Sequence, residues 1–342
     1  MHLSNRLSKT GLGFLTFLTL SALLAGCSDS ASLNEKAIVI PDRLTVKNST
    51  ARVASSVAEL RSGDRVNVSR RAKTEDGSSY SEISGPRGES GWVESRFLIK
   101  EEFVEKSRAI AAEVRDIQTQ AIGRSKKDLR LRLSPDRAND ENSISILPSG
   151  TLLEIVIKDR KLKPASILAE SDEDSADAKT THTSDYKYDV WYKVRVRGNT
   201  VLPAGWIYGG LVGLEIPHDI VYFASEGRRI TGWHKIGTAT GDDGKSGDHY
   251  LVLERAILNP NEEADFDRIK VLAYDPSTRD YTTPFRDDFP GRFPVALKMD
   301  GTKGQFQLNA IDRNKQLQLL TFGVEMLPGG QVKITKPAGK RN

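Results

Sequence analysis

A string of short apolar runs and glycines occurs twice in this chain in the same order, and that order limits the fold more than any other feature. The first pass reads Leu44-Thr45-Val46, Leu60-Arg61-Ser62-Gly63, Tyr80-Ser81-Glu82-Ile83, Gly91-Trp92-Val93 and Phe97-Leu98. The second reads Leu129-Arg130-Leu131-Arg132, Leu147-Pro148-Ser149-Gly150, Trp191-Tyr192-Lys193-Val194, Gly205-Trp206-Ile207 and Leu211-Val212. Runs this short, bounded by glycine and rich in β-branched and aromatic residues, are strands joined by tight turns. Two passes in one order are an internal repeat. Gly63 and Gly91 lie 28 residues apart, whereas Gly150 and Gly205 lie 55 apart, and the excess falls mostly in 159–188. Within it the acidic run of Glu170, Asp172, Glu173, Asp174 and Asp177 is followed by Thr, His and Ser with almost nothing apolar. It cannot bury enough surface to offset its ordering entropy, so a disordered surface loop is expected there, with an acidic docking segment or a calcium-binding patch as the alternative.

Strands this short favour a small barrel, because closure leaves few unpaired edges. The glycine of each Gly-Trp pair suits a crowded turn, and the indole is expected to cap a core too small for aliphatic residues alone. Between the passes, residues 101–118 place Phe103, Ile110, Val114 and Ile117 at helical spacing, with Ser107 as a gap in the stripe. Glu101 and Glu102 suit the start of a helix, which predicts a spacer packed on a neighbouring domain or, alternatively, a partner-binding helix. Residues 216–335 continue in β texture, including a strand from Asp219 to Phe223, alternation at Phe306, Leu308 and Ala310, and hairpin turns at Asp275-Pro276, Asp300-Gly301 and Pro328-Gly329-Gly330.

The two ordered strings resemble the bacterial SH3-like domain, whose pattern runs through a Leu-Asn-Val-Arg strand, a Leu-x-x-Gly-x-x-Val turn, a Trp-x-x-Val strand and a closing Gly-Trp-Val. The second copy is closer, with Leu129-Arg130-Leu131-Arg132, Trp191 and Gly205-Trp206 in place; in the first, Tyr80 stands for the central tryptophan. The fold expected is mainly β: two small SH3-like barrels joined by a short helix, then an antiparallel β barrel or sandwich. The divisions are a signal peptide at 1–26, a tether at 27–36, barrels at 37–99 and 118–215, a linker helix at 100–117, a β domain at 216–335 and a tail at 336–342. The resemblance implies binding without chemistry, with peptidoglycan or peptide ligands in an aromatic groove. Its candidates are Tyr80 and Trp92 in the first copy and Trp191, Tyr192, Trp206 and Tyr208 in the second. Neighbouring strand residues face opposite ways, so only one of Trp191 and Tyr192 belongs in the core.

At the amino end, Arg6 and Lys9 precede an apolar run over 11–24, a signal-peptide layout. About 20 apolar residues are needed to span a bilayer, and this run stops short of that at Ala25-Gly26-Cys27. Leu24-Ala25-Gly26-Cys27 resembles the lipobox of bacterial lipoproteins, which implies cleavage before Cys27 and lipidation of its thiol. Ser28 in place of Asp implies the outer membrane, facing the periplasm, in a Gram-negative host.

Cys27 is the only cysteine, so no intramolecular disulfide or cysteine-built metal centre is available. It also leaves no thiolate for a cell-wall cysteine peptidase once lipidated. His182, His218, His234 and His249 share no metal-ligand spacing. Asp242-Asp243 and the acids from Glu262 to Asp267 are the carboxylates a weak glycosidase would need. A formal charge of +4 gives no sign of nucleic-acid binding. The expectation is a lipid-anchored, non-catalytic envelope protein, without cofactor or metal, that binds peptidoglycan; the alternatives are docking on an envelope protein and a hydrolase in the last domain.

Overall fold

The structure, a computed structural model, describes residues 33–163, 188–198, 201–258 and 263–337. The signal segment, Cys27 and residues 164–187 and 338–342 lie outside the described residues. The fold is mainly β, and the described residues form three antiparallel sheets of seven strands each.

The first sheet contains β1 (Glu35–Val39), β2 (Arg43–Lys47), β3 (Ser56–Arg61), β4 (Arg65–Lys73), β5 (Ser79–Ser84), β6 (Ser90–Glu94) and β7 (Leu98–Lys100), in the order β3-β2-β6-β5-β4-β1-β7. The second contains β8 (Ala121–Ser125), β9 (Leu129–Arg132), β10 (Ser143–Leu147), β11 (Leu152–Leu162), β12 (Tyr188–Val196), β13 (Ala204–Tyr208) and β14 (Val212–Leu214). Its order, β10-β9-β13-β12-β11-β8-β14, repeats the first strand for strand. In the first sheet Val39, Val46, Leu60, Val68, Ile83 and Val93 meet in one core, so the sheet rolls up around them. The Ser-Gly turns have a backbone reason: Gly63 and Gly150 stand at φ +87° and +85°, the left-handed region that a side chain disfavours.

The insertion is shorter than its polar composition suggests. Strand β11 runs on to Leu162, pairing Asp159 with Trp191 and Leu162 with Tyr188, so 159–162 and Tyr188 belong to the sheet and not to a loop. A ladder partner supplies the order that these charged side chains cannot.

Helix α1 (Glu101–Glu113) is shorter than the predicted stripe, and its buried side centres on Val104 and Ser107. The residue that looked like a gap is the point of contact: Ser107 Oγ donates to the Ala204 carbonyl at 2.6 Å and accepts from the Ala204 N–H at 3.3 Å. A serine is small enough to let the helix approach β13 and polar enough to satisfy that strand's backbone. Ile38, Ile99 and Val104 join Leu131, Ile155 and Val212 in a common core cluster, so the two sheets and the helix are packed together.

The third sheet contains β15 (Arg228–Thr240), β16 (Ser246–Ala256), β17 (Phe266–Asp275), β18 (Asp280–Asp300), β19 (Lys303–Ile311), β20 (Leu317–Met326) and β21 (Val332–Thr335), each bonded to the next along the chain. The choice between barrel and sandwich resolves to one curled half-barrel, filled by residues such as Leu251, Phe266, Val295, Phe306 and Phe322. The strand expected from Asp219 to Phe223 is instead the helical turn α2 (His218–Val221) after Pro217, with Ile220 buried against Tyr250, Val252 and Leu272.

Two glutamines fasten this sheet to the second. The Gln120 side chain, fully buried, accepts from the Val295 N–H at 2.7 Å and donates to the Val295 carbonyl at 3.0 Å. Gln118 repeats the pattern, donating to the Leu297 carbonyl at 2.7 Å. Gln120 also accepts the Trp233 N–H on its own carbonyl at 3.0 Å. The side-chain amides thus satisfy β18 as a neighbouring strand would.

Candidate functional site

The six aromatic residues picked out above fall on two equivalent strand pairs. Tyr80 is on β5 and Trp92 on β6; Trp191 and Tyr192 are on β12, Trp206 and Tyr208 on β13. Register makes the two sheets comparable: Glu82 stands opposite Trp92, and Lys193 stands opposite Trp206. Likewise Tyr80 faces Glu94 where Trp191 faces Tyr208.

The tryptophans of the Gly-Trp pairs do not cap the cores. Their strand neighbours Val93 and Ile207 do that, at 2% and 0% exposure, while Trp92 and Trp206 are half-buried on the opposite, outer face. The glycines are required because another strand passes close by. A Cβ at Gly91 would lie 2.4 Å from the Lys47 carbonyl, and one at Gly205 would lie 2.9 Å from that of Arg132.

On the first sheet the outer face is open. The Arg70 guanidinium lies 5.2 Å from the centre of the Trp92 ring and pairs with Glu82 at 3.3 Å. Arg96 pairs with Glu94 at 2.7 Å beside Tyr80, and both arginines are largely exposed. Two half-buried rings among exposed charge pairs can stack on the apolar face of a sugar or peptide while the charges hydrogen-bond its polar groups.

On the second sheet the same face is covered by the protein itself. Trp191 is 1% exposed, packed edge-on against Tyr208 at 5.9 Å between ring centres. Arg137 closes over this pair, 4.8 Å from the centre of the Tyr208 ring, and bonds the buried Asp189 at 2.7 Å. Lys193 lies 5.1 Å from the centre of the Trp206 ring and donates to Glu113 of α1 at 2.6 Å. Arg195 donates to the carbonyls of Val114 and Ile117 just beyond the helix. Trp191 therefore belongs to the packed interior, and Trp206 sits under a lysine locked to the helix.

Tyr192 and Tyr208 come together elsewhere. With Lys158, Tyr188, Arg229 and Phe293 they line a cavity of about 290 Å³ between the second sheet and the curled one. Lys158, Arg229 and Arg137 carried no signal in the sequence. The bulge between Ile155 and Ile157 breaks the alternation of β11, so the inward direction of Lys158 cannot be counted from its neighbours.

Of the carboxylates considered for hydrolysis, Asp243, Glu263, Asp265 and Asp267 have structural partners, and Glu262 lies outside the described residues. Asp243 takes the Lys245 N–H in its turn and pairs with Arg279 at 2.6 Å. Asp265 pairs with Arg160 at 2.7 Å, and Asp267 with Arg228. Among the described residues, no three His, Cys, Asp or Glu side chains gather as a metal site.

Residues 32–98 match the family described as the GW (Gly-Tryp) dipeptide domain, an SH3-like bacterial cell-wall-binding module. The match covers the first sheet, the one whose outer face is open. No curated protein matches the chain. Among solved structures, NlpC1 and NlpC2 of Trichomonas vaginalis each align at 11% identity and a TM-score of 0.16, over 90% and 91% of this chain and 93% and 100% of theirs. The periplasmic gluconolactonase PpgL of Pseudomonas aeruginosa aligns at 13% identity and a TM-score of 0.15, over 80% of this chain and 58% of its own. Superpositions that loose carry no argument about fold or activity.

Proposed function

We propose that this is a cell-envelope lipoprotein whose first barrel binds peptidoglycan through the outer face of β5 and β6. The observation that carries the reading is the position of Trp92: the indole of the matched Gly-Trp pair lies outside the core, under Arg70, on an uncovered face. A ring so placed would stack on a wall sugar, and Arg70, Glu82 and Glu94 would meet its amide, hydroxyl and carboxylate groups. The second barrel is a second SH3-like copy that has become a structural bracket, since α1 and Arg137 occupy the face the first copy leaves open. The protein binds and does not catalyse. Diacylation and acylation at Cys27 would hold it to the outer membrane, facing the periplasm, in a Gram-negative host. The test is sedimentation of the protein with insoluble peptidoglycan: enrichment over a control protein supports the reading, and its absence contradicts it.

A further inference from the structure

The cavity between the second sheet and the curled sheet has a wall of rings and a charged end. Tyr188, Tyr192, Tyr208 and Phe293 supply the rings, and Lys158 and Arg229 supply the charge. The Lys158 side chain is only 5% exposed, and the carboxylate nearest to it, that of Asp265, lies 3.7 Å away, too far for a hydrogen bond. That carboxylate is already engaged: Arg160 holds Oδ1 at 2.7 Å and the Phe293 N–H donates to Oδ2 at 2.9 Å. A smaller cavity adjoins the first at Lys158 and Tyr188. On its wall, Arg160 keeps a buried Nε–H with no acceptor among the described residues. The Lys158 ammonium and the Arg160 Nε–H are thus buried donors whose partners among the described residues are incomplete, a costly arrangement without a further acceptor.

We propose that this cavity is a binding site for a small carboxylate, whose anionic group pairs with Lys158 beside Arg229 while its body packs against Tyr188, Tyr192 and Tyr208. A volume of about 290 Å³ is at the lower end for ligand pockets and fits a body of one sugar ring or a dipeptide. The site lies apart from the Trp92 face and stands whether or not the first barrel binds the cell wall.

The charge state of Lys158 follows from its surroundings. Burial lowers it to about 7, against the pull of Asp265 and with the push of Arg160, Arg255 and Arg229. The phenols of Tyr188, Tyr192 and Tyr208 also line the cavity, and Glu263, Arg292 and Asp159 line the adjoining one. A bound carboxylate favours the protonated amine, so binding above neutral pH takes up a proton.

Calorimetry in detergent on the full-length protein carrying Trp92→Ala, which removes the ring of the first barrel's proposed wall-binding face, tests this with two carboxylate probes, N-acetylmuramic acid and alanyl-alanine. Their neutral counterparts are N-acetylglucosamine and alanyl-alanine amide. Expected is binding of at least one acid and neither neutral compound, the arm that binds identifying a sugar or a peptide source. Lys158→Met should weaken it roughly ten- to hundred-fold, the range for a hydrogen bond to a charged group. Thr231→Trp, which fills the cavity without touching the charge, should abolish it, and Lys303→Ala, on an exposed side chain away from the cavity, should leave it unchanged; melting curves establish that each variant folds. At pH 8 the binding heat should vary with the buffer's ionisation enthalpy with Lys158 in place and not in Lys158→Met. No binding of either acid, or equal binding by Lys158→Met, overturns the proposal.

Discussion

Lys193 holds its ammonium 5.1 Å from the centre of the Trp206 ring, where the equivalent strand position opposite Trp92 is taken by Glu82. This exchange separates the two copies. A lysine can serve the indole and the Glu113 carboxylate at once, and so draws the end of α1 onto the second copy. Glu82 instead pairs with Arg70, whose guanidinium lies over the Trp92 ring on an exposed side chain that no other element among the described residues holds in place.

The helix contact should be sensitive to one atom. Ser107→Ala leaves the buried Ala204 carbonyl and N–H without their partner and should cost about 1–3 kcal/mol. Ser107→Leu should cost more, because the helix cannot move outward without breaking the Arg195 bonds to Val114 and Ile117. Urea unfolding checks both, and a neutral Ser107→Leu would contradict the close packing of α1 on β13.

Gln120→Leu keeps the volume but removes the amide that serves Val295. Two buried backbone groups lose their partner, so a loss of about 2–4 kcal/mol is expected, with the curled sheet unfolding first. Hydrogen exchange should show the Val295 and Leu297 amides opening in that variant at conditions where those of the first sheet stay protected.

Acid should weaken the curled sheet before it weakens the first. Burial holds His234 down to about 4 from 6.5, and its Nε2 is buried without a partner among the described residues. His249 is lowered by burial as well, and its Nδ1 must stay unprotonated to accept the Tyr274 N–H at 3.0 Å. Both are held toward the neutral form in the folded state, so their contribution is complete above the unfolded value near 6.5 and is lost as pH falls below it, for His234 toward about 4. For His234 the loss is roughly 3 kcal/mol by the bottom of that window. Unfolding midpoints at pH 7.5 and 4.5 should differ accordingly, and His234→Leu should remove most of the difference.

If Cys27 carries lipid, Cys27→Ser should move the protein from the membrane fraction to the soluble one, with loss of metabolic labelling by fatty acid. A variant that stays with the membrane would contradict the anchor.

The repeat was legible because its signals are backbone requirements: positive φ at Gly63 and Gly150, and close strand approach at Gly91 and Gly205, permit little else. What was illegible depended on partners. Ser107 reads as a polar gap until β13 is placed beside it, and Asp159–Leu162 read as loop until Tyr188–Trp191 pair with them. Residues 218–221 make a single helical turn, too short for any periodicity to register. Strand alternation puts Trp191 and Tyr192 on opposite faces, with Tyr192 against the core of the second sheet and Trp191 on the side of Tyr208. Only the arrival of Arg137 and α1 buries Trp191 and sets Trp206 beneath a lysine held by the helix, while the arginine over Trp92 stays exposed.

The central claim is that the open face of the first barrel binds the cell wall and the covered face of the second does not. Co-sedimentation with purified peptidoglycan should therefore be measured for the native protein, Trp92→Ala and Trp206→Ala. Losing a central indole from a binding face costs about 2 kcal/mol or more, so Trp92→Ala should bind at least ~30-fold more weakly while melting near the native temperature. Trp206→Ala should melt lower yet bind as the native protein does. Undiminished binding by Trp92→Ala, or a loss confined to Trp206→Ala, would contradict the account.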